Sequence, residues 1–187
     1  YYDFETTGLN PFHDEIIEYA FIDNNDNDIE NLCYANKKFD KKITNITGIH
    51  PNMLDNKKHF INHIDNIIEF IEESDTITYL IAHNNDGFDK HYLRTQFKLQ
   101  KYDNYKQYKF IDTLILARIL LPELYSHSMK TLCQHFDISL EGHRAKNDTV
   151  ALKNVYHKLL QILSVKLDIG FDDLLNKPSI VYQFIYC

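Results

Sequence analysis

A chain of 187 residues, 44% hydrophobic and 25% charged, is long enough to bury a core and ordinary in composition for a globular domain. Its net charge of −7 argues against a broad basic face for long duplex DNA, while leaving room for a slot that grips a few nucleotides. No apolar run approaches the ~20 residues of a membrane span. Cys33, Cys133 and Cys187 are too scattered for a disulfide framework or a zinc pattern, and free thiols fit an intracellular setting, cytoplasmic or nuclear. The chain opens at Tyr1 without a signal peptide or an initiator Met, and is read as a fragment of a longer polypeptide.

Taken in chain order, residues 15–22 and 31–37 are predicted strands, joined by the polar run from Asn24 to Asp28. That run is a turn; a calcium loop would need the glycine and spacing that it lacks. The four lysines Lys37, Lys38, Lys41 and Lys42 are expected on a solvated face. Phe60, Ile64, Ile67, Ile68 and Ile71 recur at helical spacing within residues 53–73, which predicts one amphipathic helix. Residues 76–82 form a continuous apolar stretch with β-branched members, the pattern of a buried strand. A helix over 87–98, a short strand over 109–111 and a helix from Asp112 that Pro122 ends come next. Residues 128–136 and 144–163 give two more helices. Tyr102, Tyr105 and Tyr108 with Lys101, Lys106 and Lys109 are expected in an exposed loop, with stacking on single-stranded nucleic acid as the alternative. Strands first, then alternating helices and strands, fit an α/β domain with a mixed sheet flanked by helices. One domain over residues 1–165 is expected, with 166–187 as a tail or an extension of it.

The chemistry concentrates in three segments. In a strand, residues i and i+2 share a face, so Asp3 and Glu5 project together and can hold hard divalent ions. Alone the pair is weak, because 18 Asp and 9 Glu produce roughly one such spacing by chance. Its context strengthens it. Asp89 lies at the start of a helix just beyond the apolar strand ending at Ala82-His83-Asn84, where α/β sheets collect ligands. His143 stands five residues before Asp148 at the head of another helix. A histidine can take a proton from water near neutral pH while carboxylates fix a metal that acidifies it. Of only five glycines, Gly8, Gly48, Gly87 and Gly142 flank these segments and mark sharp turns or close approaches. The other nine histidines and most of the 25 Tyr and Phe residues are expected to be surface or core.

The segments D-F-E-T-T-G-L from Asp3, I-T-G-I from Ile46, A-H-N-x-x-x-F-D from Ala82 and H-R-A-x-x-D from His143 resemble the motifs of the DEDDh, or DnaQ-like, 3′→5′ exonucleases. That group includes proofreading subunits and domains of bacterial replicative polymerases, with RNase T and oligoribonuclease as relatives. The resemblance spans Asp3 to about Leu160, and it implies an RNase H-like fold with a mixed five-stranded sheet. It further implies release of 5′-mononucleotides by two-metal-ion hydrolysis. Asp3, Glu5, Asp89 and Asp148 would hold two Mg²⁺ or Mn²⁺ ions, and His143 would be the base. Thr6, Leu9 and Asn84 would line the 3′-nucleotide slot, with Phe88 beside it. The substrate would be a single-stranded 3′ end, DNA in a proofreading or repair role before RNA trimming, with a polymerase or other domain of a longer chain as partner. A catalytically silent domain that binds nucleic acid or protein is the reading from another class. The segment preceding Asp3 is shorter than the family pattern, and the tail from Gly170 has no counterpart in it.

Overall fold

The computed structural model describes residues 1–72 and 77–187. Strand β1 (Tyr2–Thr6) pairs antiparallel with β2 (Ile16–Ile22), which pairs antiparallel with β3 (Asp28–Leu32). Strands β4 (Tyr79–Ala82) and β5 (Lys109–Asp112) pair in parallel, and β4 lies alongside β1. The five strands thus form two sheets among the described residues, one of three strands and one of two. Asn85 joins them by side chain. The Tyr2 hydroxyl donates to its Oδ1 at 2.5 Å, and its Nδ2 donates to the carbonyls of Leu80 and Ile111 at 3.2 and 3.1 Å. Every residue of β2 is buried, as a strand covered on both faces requires.

Among the described residues eight α-helices surround the strands: α1 (Lys41–Thr47), α2 (Ile64–Ile71), α3 (Asp89–Leu99), α4 (Thr113–Leu120), α5 (Met129–Phe136), α6 (Ala145–Leu167), α7 (Phe171–Asn176) and α8 (Pro178–Tyr186). On one face Tyr2, Phe4, Phe21, Leu80 and Phe110 pack with Ile64, Ile67, Tyr92 and Phe97 of α2 and α3. On the other, Ile81 and Ile111 pack against Leu116, Val155, Leu159 and Leu163 of α4 and α6. Alternation along β1 therefore turns Tyr2 and Phe4 to the first face and Asp3 and Glu5 to the other, towards α6. No helix of the described residues is long and apolar enough to cross a membrane.

The structure moves several predicted elements. The strand expected over 31–37 lies at Asp28–Leu32, because a tight turn lets Asp28 pair directly with Ile22. In that turn Asp23 N donates to Asn27 O and Asp26 takes φ 65°. The buried α6 residue Lys153 points its ammonium into the same turn, donating to Asp23 O (2.9 Å), Asn24 O (3.1 Å) and Asp26 Oδ1 (2.6 Å). The turn's oxygens already serve a cation of the protein's own, so the turn reading holds over the calcium one.

The helix predicted over 53–73 breaks into 3₁₀ turns at Pro51–Leu54 and Phe60–His63 before α2, with Asn56 at φ 62° interrupting the run. Glu73, its predicted end, and Thr76, the predicted start of the apolar strand, lie outside the described residues. Asp112 and Ser128 are N-caps rather than first helical residues, accepting from Leu114 N and Thr131 N.

The aromatic-basic stretch is not an open loop. Asp103–Gln107 is a 3₁₀ turn, Tyr105 and Tyr108 are buried around Phe97, and Tyr102 and Tyr108 both donate to Glu72. The C-terminal residues form α7 and α8, whose Leu174 and Val181 are fully buried in the cluster that includes α6.

Candidate active site

The site is assembled where β1 leaves the sheet. Asp3 and Glu5 share the face that looks towards α6, and Asp148 lies in the first turn of that helix. Carboxylate oxygens of Asp3, Glu5 and Asp148 lie within 4.8 Å of one another. Asp89, the first residue of α3, is 2% exposed, and its Oδ1 has no hydrogen-bond partner among the described residues.

Crowded acids strain their own ionisation. Burial, then the charges of Asp89, Glu5 and Asp148, lift the Asp3 carboxyl well above the usual carboxylate range. Burial with Asp148 and Glu18 pushes Glu5 up to about 8, against the pull of Arg144. Asp89 is likewise raised to about 8, first by burial, with the backbone amides of Asp89 and Phe4 opposing the rise. Asp148 is raised by burial and held back by the nearby charge of His143. An unpartnered buried oxygen beside three converging carboxylates of raised pKa is a donor set short of positive charge. Oxygen-only donors of this kind suit hard divalent cations.

His143 is exposed on the loop just before α6, with φ 26° after Gly142 at φ 25°. Its position is set by a pair that sequence reasoning missed. Glu18 is 3% exposed in β2, directly opposite Glu5 in register. Its Oε1 and Oε2 accept from Arg144 Nε at 2.9 and 3.1 Å, and Oε2 accepts from the backbone N–H of Ala145 at 3.0 Å. The start of α6 is thereby fixed to the sheet beside Glu5. A carboxylate inside the apolar run I-I-E-Y-A-F-I was the available signal, since a buried charge needs a partner.

The predicted substrate residues cluster in part. Thr6 is buried and donates to Gly8 O, which also accepts from the Tyr92 hydroxyl at 2.9 Å. Phe88 lies against the Tyr92 ring at 5.0 Å between centroids. Leu9, 84% exposed, thus stands on a loop tied through Tyr92 to Phe88. Asn84 takes the left-handed conformation (φ 59°) on the exposed turn after β4, and its side chain folds over Gly87, where an added Cβ would meet Asn84 Oδ1 at 2.6 Å. A Cβ at Gly8 would collide with the Asp14 carboxylate at 2.6 Å or less, so that glycine permits the close closure of the loop.

Comparison with known proteins shows the family and the fold. The RNase_T family model, described as Exonuclease, matches residues 1–156. The chain is 33% identical over 181 residues to the PolC-type DNA polymerase III of Bacillus subtilis, covering 94% of this chain and 12% of that protein. It therefore spans only a small part of the curated relatives it matches. Exonuclease I superimposes with a TM-score of 0.75 at 23% identity, over 94% of this chain and 42% of that one. Exonuclease I of E. coli in complex with a dA16 oligonucleotide gives 0.73 at 25% identity, with the same coverage. The shared fold is the RNase H-like exonuclease fold. By the match over most of its length, the chain belongs to the exonuclease family.

Proposed function

We propose that this chain is a 3′→5′ exonuclease domain that removes 5′-mononucleotides from single-stranded DNA, as the proofreading part of a longer polymerase polypeptide. The observation that carries the chemistry is the convergence of Asp3, Glu5 and Asp148 beside the unpartnered Asp89 Oδ1. These four carboxylates would hold two Mg²⁺ or Mn²⁺ ions. When bound, such ions lower the pKa of water and stabilise the charge that develops on a leaving oxygen.

The protein's own residues supply the rest. His143, exposed beside Asp148, accepts the proton of the attacking water at a ring nitrogen, the role an imidazole takes as a general base. Glu18 and Arg144 hold that histidine's helix against Glu5, so base and acids keep one geometry. Thr6, Leu9, Asn84 and Phe88 receive the terminal nucleotide, Leu9 as an apolar contact to a base. The preference for DNA over RNA rests on the polymerase relatives. The domain is proposed to occupy residues 1–165, with α7 and α8 as an extension packed on it.

The test is degradation of 3′- and 5′-labelled single-stranded DNA and RNA of matched sequence with Mg²⁺ or Mn²⁺, beside Asp3→Ala. Stepwise shortening from the 3′ end that needs both metal and Asp3, faster on DNA, is expected. Turnover retained in Asp3→Ala would refute the assignment of the acids. Tight binding with no turnover on either polymer would make a silent binding domain the better description.

A further inference from the structure

We infer that the loop bearing Leu9 and Phe12, with the lysine segment at residues 37–42 tethered beside it, is a platform for the nucleotides upstream of the 3′ terminus. This inference rests on the exonuclease reading of the site and extends it to a second contact region.

Phe12 is 79% exposed and Leu9 84%. Single exposed apolar residues are ordinary on a protein surface; what sets these apart is the loop that carries them. Phe12 N donates to Asn10 Oδ1 at 2.9 Å, and His13 N and Asp14 N donate to Asn10 O at 3.0 and 2.7 Å. Asn10 N donates back to Asp14 Oδ2 at 2.9 Å, and Thr7 N to Glu15 O at 2.9 Å. The Tyr92 hydroxyl ties Gly8 to α3. An aromatic ring on a backbone fixed in this way loses little further freedom when a base stacks on it. The loop leaves β1 immediately after Glu5 and Thr6, so it adjoins the acids.

The second observation is charge. In a chain of net charge −7, Lys37, Lys38, Lys41 and Lys42 are four exposed cations within six residues. Their segment is docked onto the base of the aromatic loop: Lys37 N donates to Glu15 Oε2 at 2.7 Å, Asn36 Nδ2 to Glu15 Oε1, and the Lys37 ammonium pairs with Asp14. Among the described residues Lys38, Lys41 and Lys42 have no ion-pair partner. Lys41 and Lys42 open α1, where the helix dipole disfavours cations, so the fold gains nothing from them there. Phe39 and Ile43 anchor the same segment on Ile17 and Ile49, which leaves the lysines facing solvent. A stacking ring beside a row of cations is chemistry that follows a single strand without reading its sequence. The four lysines are exposed, as a solvated face requires, and the inference adds phosphates as what that face contacts.

The experiment compares wild type with Phe12→Ala, Phe12→Trp and the triple Lys38→Gln/Lys41→Gln/Lys42→Gln variant. Binding of fluorescein-labelled dT12 is followed by anisotropy in EDTA, and turnover is measured on dT12 and on thymidine 5′-monophosphate p-nitrophenyl ester, which has no upstream nucleotide. Phe12→Ala is expected to weaken dT12 binding about 10-fold, with Phe12→Trp restoring it. The lysine variant should lower the salt dependence of log Kd by about 2. Hydrolysis of the ester should be unchanged in all variants. Equal binding of dT12 by Phe12→Ala and wild type, or an equal loss on the ester, would overturn the platform. If the wild type turns over neither substrate, the exonuclease reading fails, and the anisotropy series still decides whether the platform binds single strands.

Discussion

Glu5→Gln should stabilise the metal-free protein while abolishing turnover. In the folded state the Glu5 carboxyl titrates at about 8 instead of 4.5. A raised carboxylate pKa means that the native state holds a proton which the unfolded chain releases, so metal-free stability falls as pH rises from about 4.5 to about 8. Taken in full, that displacement corresponds to about 5 kcal/mol at pH 9. The side chain is only half-buried and water screens it, so about 1–2 kcal/mol is the reasonable share. For a chain of this size that means a rise in Tm of about 2–8 °C. The glutamine is isosteric and cannot ionise, so the gain should be absent at pH 4 and complete near pH 9. Thermal melts in EDTA from pH 4 to 9, then with Mg²⁺ or Mn²⁺, measure this. Wild type should gain more from the metal than the variant does. A Tm difference independent of pH, or a variant less stable than wild type at pH 9, would refute the view that crowded acids strain the metal-free site.

His143→Ala should lower kcat by about 10²–10⁴ while leaving metal-induced stabilisation in place, as calorimetry of both proteins would show. Glu18→Ala strands the Arg144 guanidinium and the Ala145 amide; a loss of about 2–3 kcal/mol is expected after allowing for the exposure of Arg144, read by urea unfolding. Its turnover should fall by more than that loss of fold explains, and adding His143→Ala should cost nothing further. Asn85→Ala leaves the Tyr2 hydroxyl and two β-strand carbonyls without their partner in a fully buried position, and should destabilise by about 2–4 kcal/mol in the same assay.

The acids were legible because strand alternation and the first turns of helices are local rules, which mark Asp3, Glu5, Asp89 and Asp148 without reference to any tertiary contact. Local rules also found the starts of α4 and α5 to within a residue. What escaped depended on distant partners. Glu18 has meaning only opposite Glu5 and beneath Arg144, 126 residues away. Tyr105 and Tyr108 look like a wet loop in the sequence, yet Phe97 and Glu72 draw them into the core. The helix expected over 53–73 kept its apolar period through Phe60 and Ile64, and failed where a left-handed Asn56 broke the backbone rather than the pattern. Periodicity records which residues are buried; it does not record where the chain bends to bury them.

Helix α6 is fastened to the sheet on both sides of Asp148. Glu18 grips residues 144 and 145, and the Lys153 ammonium plugs the turn after β2. His143 stands one residue outside this clamp. The acid that α6 carries and the histidine proposed as base therefore share one anchorage, so a change that loosens Glu18 or Lys153 would displace both together.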